Sequence, residues 1–253
     1  MLALKRKNFF FKIAEVYLTG DYEVYIPDKD TDIVVFYHST KKYKRSKEFY
    51  TLSIDLSMDT EKLFSELTKD TRHKIKKAME KDELNIDIIS SPSDEDLEEF
   101  RVFFDSFAQQ KGLLPCDTER LQSFKEANAL TLSIVKDKQD NALCYHTYIK
   151  DGQTVRMLNS ASHFRIFNDS FYRSLIGRAN RYLHWMDIKF FKEQKYLFYD
   201  FGGLALKDEN KELSNIDRFK KGFGGTVTTL YYFYKGVSLL GKLALLLSRK
   251  KVS

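Results

Sequence analysis

Two side chains have residue types and positions suited to moving a proton, His146 and Asp200. Alternation along a predicted strand places His146 on the same face as Cys144 and Tyr148. Asp200 ends a buried apolar strand just before Gly202-Gly203, where a carboxylate can hold an acceptor amine or hydroxyl and accept its proton. We therefore predict that His146 and Asp200 form an acid–base pair. The structural alternatives are a core histidine and a turn aspartate.

Four further side chains are positioned to bind substrate near this pair. Asn180 and His184 share one face of a predicted helix because they are four residues apart. His163 follows a predicted strand, where it can contact either of two substrates, and Tyr199 directly precedes Asp200. We predict that all four bind substrate. For Asn180 and His184 the alternative is a helix face turned to solvent.

Several other chemistries find no support in the sequence. It contains no Walker loop and no Rossmann fingerprint, and no spacing of His, Cys and acidic residues that indicates a metal site. Cys144 could act as a nucleophile, but no base is paired with it in the sequence and a buried strand thiol is usually inert. We therefore expect a site that works through acid–base chemistry and positioning, without a metal.

Composition indicates a folded chain that favours an anionic partner. The 253 residues are 43% hydrophobic, and 42 Lys+Arg against 36 Asp+Glu give a net charge of +6. Two cysteines cannot build a disulfide framework or a zinc cluster, which predicts an intracellular, cytoplasmic chain. No window reaches the ~18 apolar residues that a transmembrane helix needs.

The C-terminal segment could contact a membrane without crossing it. Residues 237–247 are strongly apolar, and Ser-Arg-Lys-Lys follows them up to Lys251. Such a helix can lie in a membrane interface with its basic end on anionic head groups. A terminal helix packed on the domain is the alternative. A peripheral attachment to the inner face of the cytoplasmic membrane therefore stays open.

Periodicity predicts one α/β domain with a mixed sheet flanked by helices. Ser93 and the acidic residues after Pro92 mark a helix start, and phenylalanines recur at helical spacing from Phe100 to Phe107. Three strands in sequence, separated by turns, predict an antiparallel meander over residues 131–160. A long helix, a buried strand, a short helix and a last strand follow. We predict a domain over 1–236 and a C-terminal helix over 237–253.

Three segments together resemble one protein family. They are Leu67-Thr-Lys-Asp-Thr-Arg-His-Lys-Ile-Lys-Lys-Ala78, Ile176-Gly-Arg-Ala-Asn-Arg-Tyr-Leu-His-Trp185, and the pair Tyr199-Asp-Phe-Gly-Gly203 and Phe219-Lys-Lys-Gly-Phe-Gly-Gly225. In order and spacing they resemble the FemABX-like branch of the GCN5-related N-acetyltransferase (GNAT) superfamily, over roughly residues 49–234. Founding members of that branch add amino acids to peptidoglycan precursors and carry two such domains, whereas this chain has room for one.

The resemblance implies an N-acyltransferase that joins donor and acceptor directly in a ternary complex. The implied donor is acyl-CoA, with aminoacyl-tRNA as the alternative. The implied acceptor is an amino sugar or a lipid-linked, anionic glycan precursor in cell-envelope polysaccharide synthesis. A rival from another class is a non-catalytic membrane-surface module that uses residues 237–251. Deleting this tail would abolish liposome binding of such a module and leave an enzyme with a soluble substrate active.

The resemblance also implies where the substrates bind. In this superfamily a gap opens between the fourth and fifth strands, here residues 154–160 and 196–200, and leaves N–H groups for the carbonyl or the pantetheine. The next helix presents its N-terminus to phosphate. The implied donor-binding residues are therefore Arg165, Asn168, Arg173 and Gly177. Gly177 belongs to a partial acyl-CoA signature, and an ordinary helix capped by Asp169 is the alternative for this turn.

A basic helix completes the implied site. The first helices of this fold border the acceptor channel, and Arg72, Lys74, Lys76 and Lys77 crowd one of them. An anionic acceptor would explain these charges, which predicts that Arg72 and Lys76 bind substrate. A solvated helix face is the alternative.

Overall fold

The computed structural model describes residues 1–8, 10–18, 21–165, 169–206 and 211–248. Within these ranges the chain forms ten strands and seven α-helices, which confirms the predicted α/β class with a mixed sheet flanked by helices. The strands are β1 (Leu2–Asn8), β2 (Phe11–Tyr17), β3 (Ile33–Ser39), β4 (Lys47–Asp55), β5 (Asn85–Ile89), β6 (Leu130–Lys136), β7 (Ala142–Lys150), β8 (Thr154–Ser162), β9 (Phe198–Leu204) and β10 (Thr226–Gly236). The helices are α1 (Thr60–Glu66), α2 (Lys69–Lys81), α3 (Asp94–Lys111), α4 (Thr118–Glu126), α5 (Ser170–Glu193), α6 (Lys211–Lys221) and α7 (Leu239–Ser248).

The contacts divide the chain into a larger unit, residues 52–226, and a smaller unit, residues 1–51 with 227–253. In the larger unit the strands follow the order β9-β8-β7-β6-β5, and β4 lies next to β9. β8 and β9 run parallel, whereas β8-β7-β6-β5 is antiparallel throughout. The predicted meander is therefore present, and α5 packs its apolar face on β6 and β7.

The smaller unit has its own sheet segment and core. β1 and β2 are antiparallel, β2 and β3 are parallel, and β3 and β10 are antiparallel. Its core consists of small and aromatic side chains from three of these strands: Ala14, Val16, Val34, Phe36 and Phe233. The predicted domain boundary between residues 236 and 237 remains a prediction. Residues on both sides of it, including α7, belong to this smaller unit.

Local signals in the sequence explain where α3 begins and ends. Ser93 and Asp96 form a reciprocal capping box, in which each side chain accepts a hydrogen bond from the backbone N–H of the other residue. Gly112 ends the helix at a φ of +64°, a conformation that glycine adopts without strain. Phe100, Phe103 and Phe107 are buried, as their helical spacing predicted.

The first turn of α7 is fixed to the start of β3. Asp32 accepts hydrogen bonds from the backbone N–H of Val237 at 2.8 Å and from the Ser238 hydroxyl at 2.6 Å. A methyl group added at Gly241 would lie 2.0 Å from the carbonyl oxygen of Asp32. Glycine therefore allows the helix to approach this strand. None of the described helices combines the length and apolarity that a bilayer crossing requires.

We expect Gly241→Ala to lower the free energy of unfolding of the smaller unit by about 1–3 kcal/mol. The added methyl group would force the first turn of α7 away from Asp32, an overpacking cost. Chemical denaturation measures the change. Gly152→Ala is the matched control, because a methyl group at Gly152 meets nothing within 4 Å. Equal stability of the two variants would contradict the close approach.

Candidate active site

A gap between β8 and β9 forms the base of the candidate site. The two parallel strands are paired at Thr154–Phe198, Val155–Tyr199 and Arg156–Asp200 only, within the part of the chain described. β8 continues to Ser162 and β9 to Leu204, and in the part of the chain described no ladder pair joins them beyond Arg156 and Asp200. The gap that the resemblance implied is therefore present at the implied strands. The ladder between β8 and β9 ends at Arg156 and Asp200.

A cavity of about 630 Å³ lies at this gap. Residues of β8, α5, α6 and the end of α3 line it. Its walls combine apolar side chains with four cationic ones: Phe107, Met157, Phe164, Ile176, Ile216, Phe219, Lys111, Arg173, Arg181 and Lys220. One carboxylate, Glu212, also lines the cavity and forms an ion pair with Lys111 at 3.0 Å. Mostly apolar walls with a few polar groups are typical of small-molecule sites, and the charges favour an anionic ligand.

Below the cavity, buried polar side chains form a chain of hydrogen bonds. The Tyr148 hydroxyl donates to Asp187 Oδ2 at 2.6 Å, and the Tyr148 and Tyr199 hydroxyl oxygens are 2.8 Å apart. The Tyr199 oxygen lies 3.0 Å from Nδ1 of His184. All four residues are fully buried. The chain therefore links a carboxylate to His184, which lines the cavity.

The number of protons available for these hydrogen bonds fixes the tautomer of His184. A carboxylate only accepts, so the single proton of Tyr148 is used toward Asp187, and Tyr148 must accept from Tyr199. Tyr199 then has no proton left and must accept from His184, whose Nδ1 carries the hydrogen. Nε2 of His184 is thus left with a lone pair. It has no hydrogen-bond partner among the residues described.

The surroundings keep His184 neutral. Burial lowers its pKa well below the usual 6.5, and the nearby His146, Lys220 and Arg181 lower that pKa further. A neutral imidazole with a free Nε2 can accept a proton from a bound nucleophile. His184 is thus a neutral residue of the cavity lining whose buried Nε2 keeps an unused lone pair.

His146 lies in the same network, one layer from the cavity. Its Nδ1 lies 2.8 Å from Asp187 Oδ2 and 3.2 Å from the Tyr148 hydroxyl, and its Nε2 lies 2.8 Å from the side-chain oxygen of Asn180. Its ring stacks on that of His184 with a centroid distance of 4.0 Å. It is fully buried and does not line the cavity, unlike Asn180. This geometry suits a group that positions Asp187 and Asn180.

Asp200 lies in the middle of β9, not at its end, and both of its oxygens are bound. Arg156 donates to Oδ2, and the backbone N–H of Gly202 donates to Oδ1 at 2.7 Å. Arg156 and Asp200 are 6% and 5% exposed, so this is a buried ion pair. The sequence prediction that Asp200 accepts a proton remains a prediction. The contacts themselves indicate that it holds the middle of β9 against β8, where their pairing ends.

Lys220 contributes a cation whose charge depends on pH. Burial lowers its pKa to about 8, and Arg156 lowers it further while Asp200 and Asp217 oppose the shift. Its ammonium donates to the Gly203 carbonyl at 2.7 Å. The residue lines the cavity beside the strand gap.

We expect Lys220 to make protein stability rise with pH between about 8 and 10.5. The unfolded chain binds a proton at Lys220 up to its ordinary pKa of 10.5, whereas the folded protein releases it near 8. Because the unfolded state then binds more protons, the free energy of unfolding should rise by about 3 kcal/mol relative to Lys220→Met across this range. Denaturation at several pH values measures it, with the exposed Lys77→Met as control. A difference that does not change with pH would contradict the shift.

Two arginines hold aromatic rings at the cavity wall. The Arg181 guanidinium lies 4.7 Å from the Phe219 ring centre, and Arg173 lies 4.7 Å from that of Phe164. Arg181 donates to the Gly177 carbonyl at 2.8 Å, while its buried Nε has no partner among the residues described. Both guanidinium groups are therefore oriented and have donors available for an anion.

Four of the predicted substrate-binding residues lie outside the cavity lining. Tyr199 belongs to the buried hydrogen-bond chain described above, and the other three lie elsewhere. The Arg72 guanidinium donates to the Ser65 carbonyl at 2.6 Å and to the Leu67 carbonyl, at the end of α1. Lys76 lies 6.0 Å from the Phe64 ring centre. His163 stacks on Phe103 at a centroid distance of 3.7 Å, and burial lowers its pKa. Their predicted roles stay predictions.

The predicted phosphate site is only partly described. Asn168 lies outside the described residues, and Arg165 lies in a short 3-10 helix without a described side chain. The Asp169 carboxylate caps α5 and accepts from Phe171 N–H at 2.7 Å, so it occupies the positive end of the helix. Gly177 lies inside α5, and both Gly177 and Arg173 line the cavity.

One buried group could be considered for a metal ion. His146, His184 and Asp187 each bring a ligand atom within 4.8 Å of the others. However, stacked rings direct their in-plane lone pairs side by side, not toward a common point. Oδ2 of Asp187 is also used by His146 and Tyr148. The arrangement fits hydrogen bonding better than metal coordination.

Sequence reasoning did not assign Tyr148, Asp187, Arg181 or Lys220 to the site. Periodicity could have indicated two of them. Tyr148 follows His146 by two positions along a strand, and Asp187 follows His184 by three positions along a helix, so each shares a face with a predicted site residue. Lys220 lies in the Phe219–Gly225 segment that carried part of the family resemblance. Its depressed pKa depends on burial, which the sequence alone does not reveal.

Comparisons with known proteins agree on the fold. No protein-family model matches the sequence, and a search of curated proteins finds no match. Among solved structures, FemX matches with a TM-score of 0.65 at 13% identity, over 91% of this chain and 83% of FemX. The C-terminal DUF2156 domain of a putative lysylphosphatidylglycerol synthetase from Agrobacterium fabrum matches with a TM-score of 0.58 at 11% identity, over 96% and 83%. L-PGS from Bacillus licheniformis matches with a TM-score of 0.51 at 14% identity, over 86% and 72%. This chain therefore has a FemABX-like fold of the GNAT type, as its three motif segments predicted.

Proposed function

We propose that this protein is a transferase that moves an activated acyl group, preferably an aminoacyl group, onto an amine of a phosphate-bearing acceptor. The observation that carries the proposal is the cavity at the β8–β9 gap, where an unprotonated His184 nitrogen lies among cations. Acyl transfer to an amine needs a base, a donor for the carbonyl oxygen and good alignment. The cavity supplies candidates for all three.

The chain's own groups divide the work as follows. His184 Nε2 takes the proton from the attacking amine as the C–N bond forms. Lys220, cationic below about pH 8, and backbone N–H groups at the gap stabilise the negative carbonyl oxygen. The C–O or C–S bond of the donor then breaks, and the proton on His184 passes to the leaving oxygen or sulfur. Arg173 and Arg181 bind phosphate of a substrate.

An aminoacyl ester is favoured over a CoA thioester as the donor. The partial acyl-CoA signature around Gly177 lies inside α5, and the Asp169 carboxylate occupies the start of that helix. A pyrophosphate would meet a negative charge there. The names of the neighbours, FemX and lysylphosphatidylglycerol synthetase, are consistent with aminoacyl transfer. Acyl-CoA stays the second candidate, since Gly177 and Arg173 line the cavity.

A donor and acceptor panel tests the proposal. Thermal shift with aminoacyl-tRNA, uncharged tRNA, acyl-CoA and free CoA identifies the donor, because a ligand that binds only the folded state raises Tm. Transfer of a radiolabelled group is then measured to nucleotide amino sugars and to lipid-linked glycans that carry an amine. Labelled product that depends on His184 is the expected result. A protein that neither binds nor uses either donor with any acceptor would contradict the proposal.

A further inference from the structure

A second cavity, within the smaller unit, carries five cationic side chains and no carboxylate. It measures about 1270 Å³ and lies between the strands of this unit and α7. Its cationic lining residues are Lys44, Arg45, Lys47, Lys235 and Lys242. In the part of the chain that the structure describes, none of them forms an ion pair. Five like charges without counter-ions favour an anionic ligand.

The rest of the lining is apolar and aromatic. Phe233, Val237, Leu245 and Leu246 belong to it, together with three tyrosines. Free phosphate or a small anion would leave this surface uncovered. The volume also exceeds the roughly 300–1,000 Å³ of ordinary small-molecule sites. The lining therefore fits a ligand that joins an anionic head to a long apolar part.

The cavity continues into an exposed apolar helix face. Leu246 lines the cavity and is 56% exposed, and Leu239, Leu243 and Leu247 on the same face are 86%, 54% and 57% exposed. Their spacing of three to four residues places them on one side of α7. A helix of ten residues is about 15 Å long, so it can lie in a membrane interface but not cross it.

We propose that this cavity and the leucine face of α7 bind the surface of a membrane that contains anionic phospholipid. One lipid headgroup is held by the five cations, with its acyl chains against Phe233 and α7. The exposed leucines enter the headgroup–acyl boundary. The hydrogen bonds of Asp32 to Val237 and Ser238 hold the start of α7 in the orientation that presents this face.

Cosedimentation of the full chain with vesicles tests the charge half of this proposal. Vesicles of phosphatidylcholine with one quarter phosphatidylglycerol should bind at least tenfold more tightly than pure phosphatidylcholine. The triple variant Lys44→Gln/Arg45→Gln/Lys47→Gln should weaken binding on the order of 100-fold, about fivefold per charge removed. The control Lys69→Gln/Lys81→Gln/Lys195→Gln removes the same charge from exposed sites of the larger unit. Equal loss in both triple variants would overturn the proposed site.

A leucine pair tests the apolar half. Leu243→Ser/Leu247→Ser should weaken binding to the anionic vesicles at least tenfold. The control Val102→Ser/Leu114→Ser changes two exposed apolar residues of the larger unit and should bind normally. Unchanged binding of the leucine pair would overturn the membrane assignment. Two other results would also overturn it. One is binding of soluble glycerol phosphate that is as tight as vesicle binding. The other is binding of tRNA without binding of vesicles, if the basic triple variant abolishes it. None of these readouts requires turnover, so they are independent of the proposed function.

Discussion

Replacing His184 by alanine is expected to lower kcat by about 10²–10⁴-fold, with a smaller effect on KM. A positioned base contributes a factor of this size when it removes the proton of the attacking group. His184 lines the cavity, and its Nε2 has no hydrogen-bond partner among the residues that the structure describes. The hydrogen bonds through Tyr199 and Tyr148 to Asp187 hold its other nitrogen. Steady-state kinetics of the transfer reaction, once the donor is known, measures the loss.

Chemical rescue separates a chemical role of His184 from a structural one. Added imidazole can occupy the space that the deleted ring leaves and restore part of the turnover, whereas a loss caused by misfolding would not respond. His73→Ala, at an exposed histidine of α2, is the control and should keep full activity. A His184→Ala enzyme that folds with the normal Tm and keeps wild-type kcat would remove His184 from the mechanism.

The pH profile provides a second readout for His184. Because burial and the neighbouring cations hold its pKa well below 6.5, its free nitrogen stays available at pH 6.5. The acidic limb of kcat/KM should therefore lie below the usual histidine range. Tyr199→Phe removes the oxygen that accepts from Nδ1 of His184, so the proton of the ring is no longer held on Nδ1. We expect that variant to lose about tenfold in kcat, or about 1.4 kcal/mol, which is near the upper end of the net contribution of one hydrogen bond. It should also show an altered acidic limb.

Elements that depend on local chemistry could be predicted from the sequence. The capping box at Ser93 and the phenylalanine stripe of α3 are contained within 18 residues, and both are present. The same holds for alternation along β7, which places His146 and Tyr148 on one face. These signals depend on neighbours within a turn or along a strand, so no knowledge of tertiary structure is needed.

The first two strands could not be predicted in the same way. β1 reads Leu-Ala-Leu-Lys-Arg-Lys-Asn, and its charges interrupt the apolar alternation of a half-buried strand. β1 lies at the end of the strand order, where a strand pairs on one side only. Charged edge strands resist pairing with other chains. Its strand character is explained by its pairing with β2 and not by its own composition.

The electrostatics of the site required the tertiary fold. Arg156 and Asp200 are 44 residues apart, and they meet because the parallel register of β8 and β9 pairs them directly. A strand register at this separation has no local signature. For the same reason Asp200 looked like a free carboxylate at a strand end. The sequence located the right strand and the right gap but not the partner that binds the carboxylate.

Replacing Asp200 by alanine is expected to lower the free energy of unfolding of the larger unit by about 3–5 kcal/mol. The change leaves the Arg156 guanidinium, 6% exposed, without the carboxylate that neutralises it, and an unpaired buried charge has a cost of this size. It also removes the acceptor of the Gly202 N–H, next to the strand gap. Urea denaturation measures the effect.

A double-mutant cycle identifies the source of that loss. Arg156→Met/Asp200→Leu removes both charges, and an apolar pair of similar volume should recover most of the lost stability, since such replacements are often neutral or stabilising. Asp200→Asn tests the acid–base prediction separately. If the carboxylate acts only by binding Arg156 and the Gly202 N–H, this variant should be less stable than the wild type. Its folded fraction should then keep the wild-type turnover. An Asp200→Asn protein with wild-type stability and no turnover would contradict the ion-pair role and make Asp200 the proton acceptor that its sequence context predicted.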